Sequence, residues 1–232
     1  MSAAWSGSPA DGPLTFQAQE CVRRAQGRPA VFLDRDGTVN EAVPDPVTGL
    51  AESPLSAAEV RLLPGAAHAV RALSQAGFTV VFVTNQPAAA KGKVDVNTLV
   101  AVHERVLVLL AELGAEVESS RVCLHHPDGV VAGLSGRCEC RKPAPGMLLE
   151  AAAELGAPME RSWMVGDTDA DVGAGRAAGC STMLLRYPPS AHKRAASERE
   201  FAVTDIDAAA RKLLGERPSA GDDAWSCASP CA

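Results

Sequence analysis

No stretch of this 232-residue chain approaches the roughly 20 consecutive apolar residues that a membrane-spanning helix requires. The N-terminus also lacks a basic segment followed by an apolar core, the mark of a secretion signal. No membrane partner is expected, and the default location is cytoplasmic. Positive charge is scarce too: 22 Lys and Arg stand against 28 Asp and Glu, a formal net charge of -6. Such a surface offers no electrostatic footprint for nucleic acid or anionic lipid, so nucleic acid is not an expected partner either. An anionic small substrate would need cations placed locally. The cysteines number seven, an odd count. Three of them crowd around histidine between Cys123 and Cys140, and in a cytosolic setting that points to metal rather than disulfides. No internal repeat and no sustained exposed apolar face is visible, so a monomer is expected.

What is present suits one α/β domain of ordinary size: 47% hydrophobic and 22% charged residues, close to globular averages, in a chain long enough to bury a core without disulfides. Residues 1–28 are rich in Ala, Ser, Gly and Pro and read as a loosely ordered tail, with a short helix near Cys21. Residues 216–232 read as a second tail, leaving 29–215 as the domain. Ala30-Val31-Phe32-Leu33 is a short apolar run ending at Asp34, the pattern of a buried parallel strand. Residues 40–64 form an irregular, proline-containing flap too short to be a large cap domain.

Beyond the flap, strands and helices alternate. The spacing of Ala66, Ala69, Val70, Leu73 and Ala76 predicts a helix stopped by Gly77, followed by a strand over 78–83. Asp95 can cap a helix whose apolar face is Leu99, Val102, Val106, Leu109 and Leu113. A weaker strand over 121–124 follows. Pro145 opens a helix with Leu148, Leu149, Ala152 and Leu155 inward. Strands over 162–165, 182–185 and 201–203, with helices to Ala178 and over 206–214, complete the pattern. Such alternation predicts a Rossmann-like, doubly wound parallel sheet whose site lies at the carboxyl ends of the strands.

The chemistry gathers at those ends. Asp34-Arg35-Asp36-Gly37-Thr38 sets two carboxylates two residues apart beyond a buried strand, where a hard, oxygen-seeking cation such as Mg²⁺ would relieve their repulsion. One carboxylate can then attack phosphorus while the other exchanges protons with the leaving oxygen and with water. Gly166-Asp167-Thr168-Asp169-Ala170-Asp171 brings further carboxylates to another strand end. Thr84-Asn85-Gln86 offers a hydroxyl and backbone N–H groups to a phosphate oxygen, and Arg141-Lys142-Pro143 supplies cations. The segment Cys123-Leu124-His125-His126 with Cys138-Glu139-Cys140 provides three thiolates and an imidazole, a set that suits a closed, structural zinc site in the loop 123–140. Its Cys-x-His and Cys-x-Cys spacings differ from the commoner Cys-x-x-Cys, so composition alone leaves free thiols open, and leaves open which histidine takes part.

Taken in order, the four strand-end segments resemble the four motifs of the haloacid dehalogenase (HAD) superfamily of phosphatases. By that resemblance Asp34 is the nucleophile that becomes an aspartyl-phosphate and Asp36 the general acid/base. Thr84 and Lys142 would neutralise the phosphoryl group, while Asp34, the Asp36 carbonyl and Asp167 bind Mg²⁺ with Asp171 orienting the metal shell. The cysteine pattern followed by Arg141-Lys142-Pro143-x-Pro145-Gly146-Met147 is similar to the subgroup of heptose-1,7-bisphosphate 7-phosphatases and histidinol-phosphate phosphatases, over about Val31 to Arg186. That likeness selects His125 as the fourth zinc ligand beside Cys123, Cys138 and Cys140. It implies substrate contacts from Asn85, Gln86, Lys91 and Arg141, and a small phosphorylated metabolite as partner.

Heptose bisphosphate, cleaved at the C7 phosphate, leads; histidinol phosphate or another small sugar phosphate, and a non-catalytic zinc-stabilised binding module, are the rivals. The chain departs from the family where Pro87-Ala88-Ala89-Ala90-Lys91-Gly92 replaces the usual Ser-Gly-Ile-x-Arg-Gly, exchanging an arginine fork for a point charge. Thr168 also stands where a lysine is common, and the flap lacks the usual Gly-Tyr-Val. These changes bear on the exact sugar rather than on phosphatase chemistry. His68 and His103 read as surface or packed residues, Cys180 as a small apolar side chain, and His192-Lys193-Arg194 as a solvated loop, with contact to a substrate phosphate as the lesser alternative. Cys227 and Cys231 could pair but have no supporting context.

Overall fold

The central strand is Ala30–Leu33 (β3), and all four of its side chains are buried. It sits between two parallel neighbours, so both of its faces must be apolar. The computed structural model describes residues 4–8, 10–17, 23–46, 48–194 and 201–215. In chain order its strands are Ala4–Ser6 (β1), Leu14–Gln17 (β2), β3, Val43–Pro44 (β4), Ala51–Glu52 (β5), Thr79–Asn85 (β6), Ser119–Cys123 (β7), Trp163–Gly166 (β8), Ser181–Leu185 (β9) and Ala202–Val203 (β10). The α-helices are Ala66–Gln75 (α1), Val96–Glu112 (α2), Gly146–Leu155 (α3), Asp169–Ala178 (α4) and Ile206–Leu213 (α5).

The main sheet runs β1-β2-β7-β6-β3-β8-β9-β10, parallel from β7 to β10, with β1 and β2 antiparallel at one edge. Successive residues of β3 serve opposite faces. Val31 and Leu33 pack in one core with α1, α2 and α5, whereas Ala30 and Phe32 pack in another with α3 and α4. A Phe32→Ala change would therefore cost about 3–5 kcal/mol, as large truncations in closed cores do. Strand order reverses about β3, so the crevice at its carboxyl end is the natural binding place of such a sheet. This is a doubly wound α/β fold with a mostly parallel sheet, as the alternation of elements predicts. The described residues of 40–64 form no large cap; among them are the two-stranded ribbon β4–β5 and a short 3₁₀ turn.

Three local expectations need correction. Leu14–Gln17, assigned to a loose tail, is a strand paired with β7, with Leu14 buried and Trp5 stacked near Phe16 and His103. Four residues carry too little pattern to announce a strand whose formation depends on a distant partner. In α2 the buried face is Leu99, Val102, His103, Val106 and Leu110. Leu113 is exposed instead: a helix apolar around most of its circumference does not reveal its buried face by spacing alone. In α3 Met147 and Ala151 turn inward and Leu149 outward for the same reason. Asp95 caps α2 as expected, accepting from the Thr98 N–H. Cys21, Cys227 and Cys231 lie outside the described residues.

Candidate active site

Asp34 is the first residue past β3, and its N–H donates to the Val165 carbonyl of β8 at 2.9 Å. This bond ties the motif to two strands at once. Asp167 follows β8, and Asp171 lies on the first turn of α4, where its Oδ2 accepts from the N–H and the hydroxyl of Thr168, at 3.0 and 2.7 Å. Thr168, where the family favours lysine, thus makes a capping box that fixes Asp171. One carboxylate oxygen from each of Asp34, Asp167 and Asp171 lies within 4.8 Å of the other two, and all three residues are buried.

Lys142 crosses to them from the loop before α3. Its Nζ lies 2.7 Å from Asp34 Oδ1, 2.6 Å from Asp171 Oδ1 and 2.6 Å from the Val83 carbonyl, so each ammonium proton has an acceptor. Burial would lower the Lys142 pKa, but the charges of Asp171 and Asp34 outweigh it and hold the ammonium protonated. Burial, together with the charges of Asp171 and Asp36 and against that of Lys142, pushes Asp34 up to about 6. Burial and then the charges of Asp34 and Asp171 likewise hold Asp167 well above the carboxylate range. One ammonium does not balance three carboxylates, and Asp167 Oδ1 is buried without a hydrogen-bond partner. An oxygen set with one such orphaned atom fits a hard divalent cation.

Asp36 has a different environment. Oδ1 accepts from Asn40 Nδ2 at 2.9 Å; Oδ2 accepts from Gln86 Nε2 at 2.6 Å and from Ser53 Oγ at 2.8 Å; the Arg35 guanidinium lies 3.0 Å from Oδ2. Burial alone would raise this carboxyl; the Arg35 charge and the three hydrogen bonds exceed it, so the pKa is lowered. Gln86 Nε2 also donates to Thr84 Oγ1 at 2.8 Å, which leaves the Thr84 proton free to point elsewhere. Asn85 clamps the Lys142 backbone, donating to its carbonyl at 3.0 Å and accepting from its N–H at 3.1 Å. The amides of Asn85 and Gln86, read from sequence as substrate contacts, are therefore committed to Lys142 and to Asp36 and Thr84. Gln86 is completely buried.

Asp34, Asp36, Thr84 and Lys142 line the floor of a cleft of about 450 Å³. Lys91, Arg141 and Lys193 line it as well, so three cations not engaged with the acidic floor face the same space. Lys193, assigned to a solvated loop, donates to the Ala51 carbonyl of the flap at 2.8 Å. No pattern around residue 193 signals this; the contact is made by the fold. Arg141 Nη1 donates to the His125 carbonyl at 3.1 Å, which links the rim to the cysteine cluster.

In that cluster Cys140 Sγ lies 3.2 Å from Cys123 Sγ and 3.3 Å from Cys138 Sγ, and His125 Nδ1 is 3.4 Å from Cys140 Sγ. Four ligand atoms so close together fit one tetrahedral metal ion. His126 is turned away, its Nδ1 accepting from the Asp128 N–H at 3.1 Å. A hydrogen bond from Cys140, and a lesser one with His125, pull the Cys123 thiol down to about 6 against the effect of burial. Cys180 stands apart, buried in the core.

Known proteins are similar to this chain in sequence and in fold. The family model for HAD-hydrolase-like proteins matches residues 139–211. A D-glycero-beta-D-manno-heptose-1,7-bisphosphate 7-phosphatase of Yersinia pestis is 41% identical over 160 residues, 69% of this chain and 81% of its own. The chain belongs to this heptose-bisphosphatase family of HAD-like hydrolases. A member from Pseudomonas putida is 34% identical over 187 residues, covering 79% of this chain and 98% of its own. The crystal structure of the D,D-heptose 1,7-bisphosphate phosphatase of B. bronchiseptica, complexed with magnesium and phosphate, matches with a TM-score of 0.68 and 32% identity, covering 82% of this chain and 99% of that one. As a member of the family, the chain is a phosphatase.

Proposed function

We propose that this phosphatase hydrolyses the C7 phosphate of D-glycero-β-D-manno-heptose 1,7-bisphosphate, using Mg²⁺ and a structural Zn²⁺. The observation that carries this reading is Lys142 spanning Asp34 and Asp171 at the floor of the cleft, with Lys91, Arg141 and Lys193 on its walls. One set of charges suits the phosphoryl group that reacts; the second suits a further phosphate on the same molecule.

In this reading Asp34 attacks phosphorus and becomes the aspartyl-phosphate. Asp36 delivers a proton to the departing sugar oxygen, then takes one from the water that hydrolyses the intermediate. A phosphate dianion entering the cleft brings negative charge beside Asp36 and so favours the protonated form that the first step needs. The Thr84 hydroxyl and the Lys142 ammonium neutralise the phosphoryl oxygens, the largest contribution to be expected in phosphoryl transfer. Bound to Asp34, the Asp36 carbonyl and Asp167, with Asp171 behind them, Mg²⁺ would add charge neutralisation at the same oxygens. A zinc ion on Cys123, His125, Cys138 and Cys140 would hold Arg141 and Lys142, the two residues that follow Cys140, at the mouth of the cleft.

Glu52 also lines the cleft and would favour a cationic substrate such as histidinol phosphate, which makes that ester the second reading. Phosphate release measured across heptose 1,7-bisphosphate, histidinol phosphate and simple sugar phosphates separates the two. A kcat/KM highest for the bisphosphate supports the first, and one highest for histidinol phosphate replaces it.

A further inference from the structure

The partners of Asp36 come from segments of unequal rigidity. Arg35 and Asn40 belong to the tight turn after β3, where the Arg35 carbonyl accepts from the N–H groups of Val39 and Asn40 at 2.8 and 3.1 Å. Gln86 is the buried residue directly after β6, its N–H donating to the Cys123 carbonyl at 2.7 Å. Ser53 alone comes from the body of the flap beyond that turn, directly after β5. Its hydroxyl donates to Asp36 Oδ2 at 2.8 Å, across 17 residues of chain.

The flap that carries Ser53 is itself tied down at three points, all remote from Asp36 in sequence. Lys193 Nζ donates to the Ala51 carbonyl at 2.8 Å, the Ala42 N–H donates to the Tyr187 hydroxyl at 3.2 Å, and Lys93 Nζ lies 2.8 Å from Asp45 Oδ2. The contacts that hold the flap therefore also hold Ser53 against Asp36. The chemistry of the contact also differs from its neighbours. Guanidinium and amide N–H groups can only donate to Asp36, whereas a serine hydroxyl can turn and accept.

We propose that Ser53 is a positioning residue through which the docked flap aims Oδ2 of Asp36 at the leaving-group oxygen. This rests on the reading of Asp36 as the general acid. Ser53 does not act on the phosphoryl group, so its influence should appear only where the leaving group needs a proton. A sugar alkoxide needs one; 4-nitrophenolate departs as a stable anion.

The test compares kcat/KM of the Mg²⁺-supplemented wild type, Ser53→Ala, Ser53→Thr and Asp36→Asn on heptose 1,7-bisphosphate and on 4-nitrophenyl phosphate. Since kcat/KM covers the steps up to release of the alcohol, it reports the protonation step directly. General acid catalysis contributes roughly 10²–10⁴-fold. Ser53→Ala should therefore lose about tenfold or more on the sugar ester and less than about threefold on the aryl ester, with Ser53→Thr restoring the difference. Asp36→Asn should show the same selectivity more strongly. Equal losses on both esters in Ser53→Ala, or none, while Asp36→Asn remains selective, would overturn the role of Ser53 and leave that of Asp36 standing. No selectivity in Asp36→Asn, or no turnover of either ester by the wild type, would overturn the reading of Asp36 and the proposal with it.

Discussion

The Lys142 ammonium lies 2.7 Å from Asp34 Oδ1, and both residues are buried at the carboxyl end of the sheet. The nucleophile of the proposed reaction and the cation that would steady its phosphoryl group are already in contact. Two substitutions at this pair should have opposite effects on stability. Lys142→Ala leaves the buried carboxylates without their cation and should lower stability by about 3–5 kcal/mol, the usual cost of breaking a buried ion pair. Asp34→Asn removes one of three mutually repelling carboxylates and should leave stability unchanged or raised. Both should abolish phosphate release. Urea unfolding in metal-free buffer, paired with activity assays, checks this; an Asp34→Asn protein with substantial turnover would contradict its nucleophilic role.

Gly37 holds the turn directly after the two motif aspartates at φ +84°, and a Cβ there would run into the Asp167 carboxylate and come within 2.9 Å of the Tyr187 ring. Gly37→Ala should cost about 1 kcal/mol or more from the left-handed backbone alone. It should also displace Asp167, so the Mg²⁺ concentration giving half-maximal activity should rise. An unchanged Mg²⁺ dependence would show that Asp167 is not a ligand.

Stripping the metal from the cysteine cluster should act at a distance. Metal analysis is expected to find about one zinc per chain. Its removal by a strong chelator, or by Cys138→Ser, should lower the melting temperature. Phosphate release should fall even with Mg²⁺ in excess, because Arg141 and Lys142 follow Cys140 directly. Full activity in a folded, zinc-free protein would separate the cluster from the active site.

His103 makes stability depend on pH. Its ring packs among Trp5, Phe16 and Phe82, and its Nε2 lies 3.0 Å from Ser120 Oγ. Burial, aided by the Arg35 charge and opposed by Asp36, lowers its pKa from 6.5 to about 3. The unfolded chain takes up this proton below its pKa of 6.5 while the folded protein stays neutral. The stability is therefore complete above that pH and declines as pH falls toward 3, by up to about 1.4 kcal/mol per pH unit. In His103→Phe the slope between pH 7.5 and 5 should be shallower, as read from urea unfolding; an equal slope would mean that His103 is already protonated in the folded state.

Much of the fold is legible in the sequence because β3 is buried on both faces, so Ala30-Val31-Phe32-Leu33 has no alternative to a continuous apolar run, and its abrupt end at Asp34 marks the site. The acidic and basic site residues are legible for a related reason: each stands at a strand end or loop whose position the alternation of elements determines. Helix faces are less so, since α2 is apolar nearly all round and its buried side, which runs through His103 to Leu110, is chosen by the sheet. Least visible are contacts between loops. Ser53 and Lys193 show their contacts only in the fold, as do the bonds that the amides of Asn85 and Gln86 make with Lys142, Asp36 and Thr84.

Phosphate release from heptose 1,7-bisphosphate with Mg²⁺, as kcat/KM against a panel of histidinol phosphate and other sugar phosphates, tests the central claim most directly. The account predicts a preference for the bisphosphate of tenfold or more, about 1.4 kcal/mol of transition-state discrimination, since only that ester among these carries a second phosphate for Lys91, Arg141 and Lys193. Equal or greater rates on the monophosphates would contradict it.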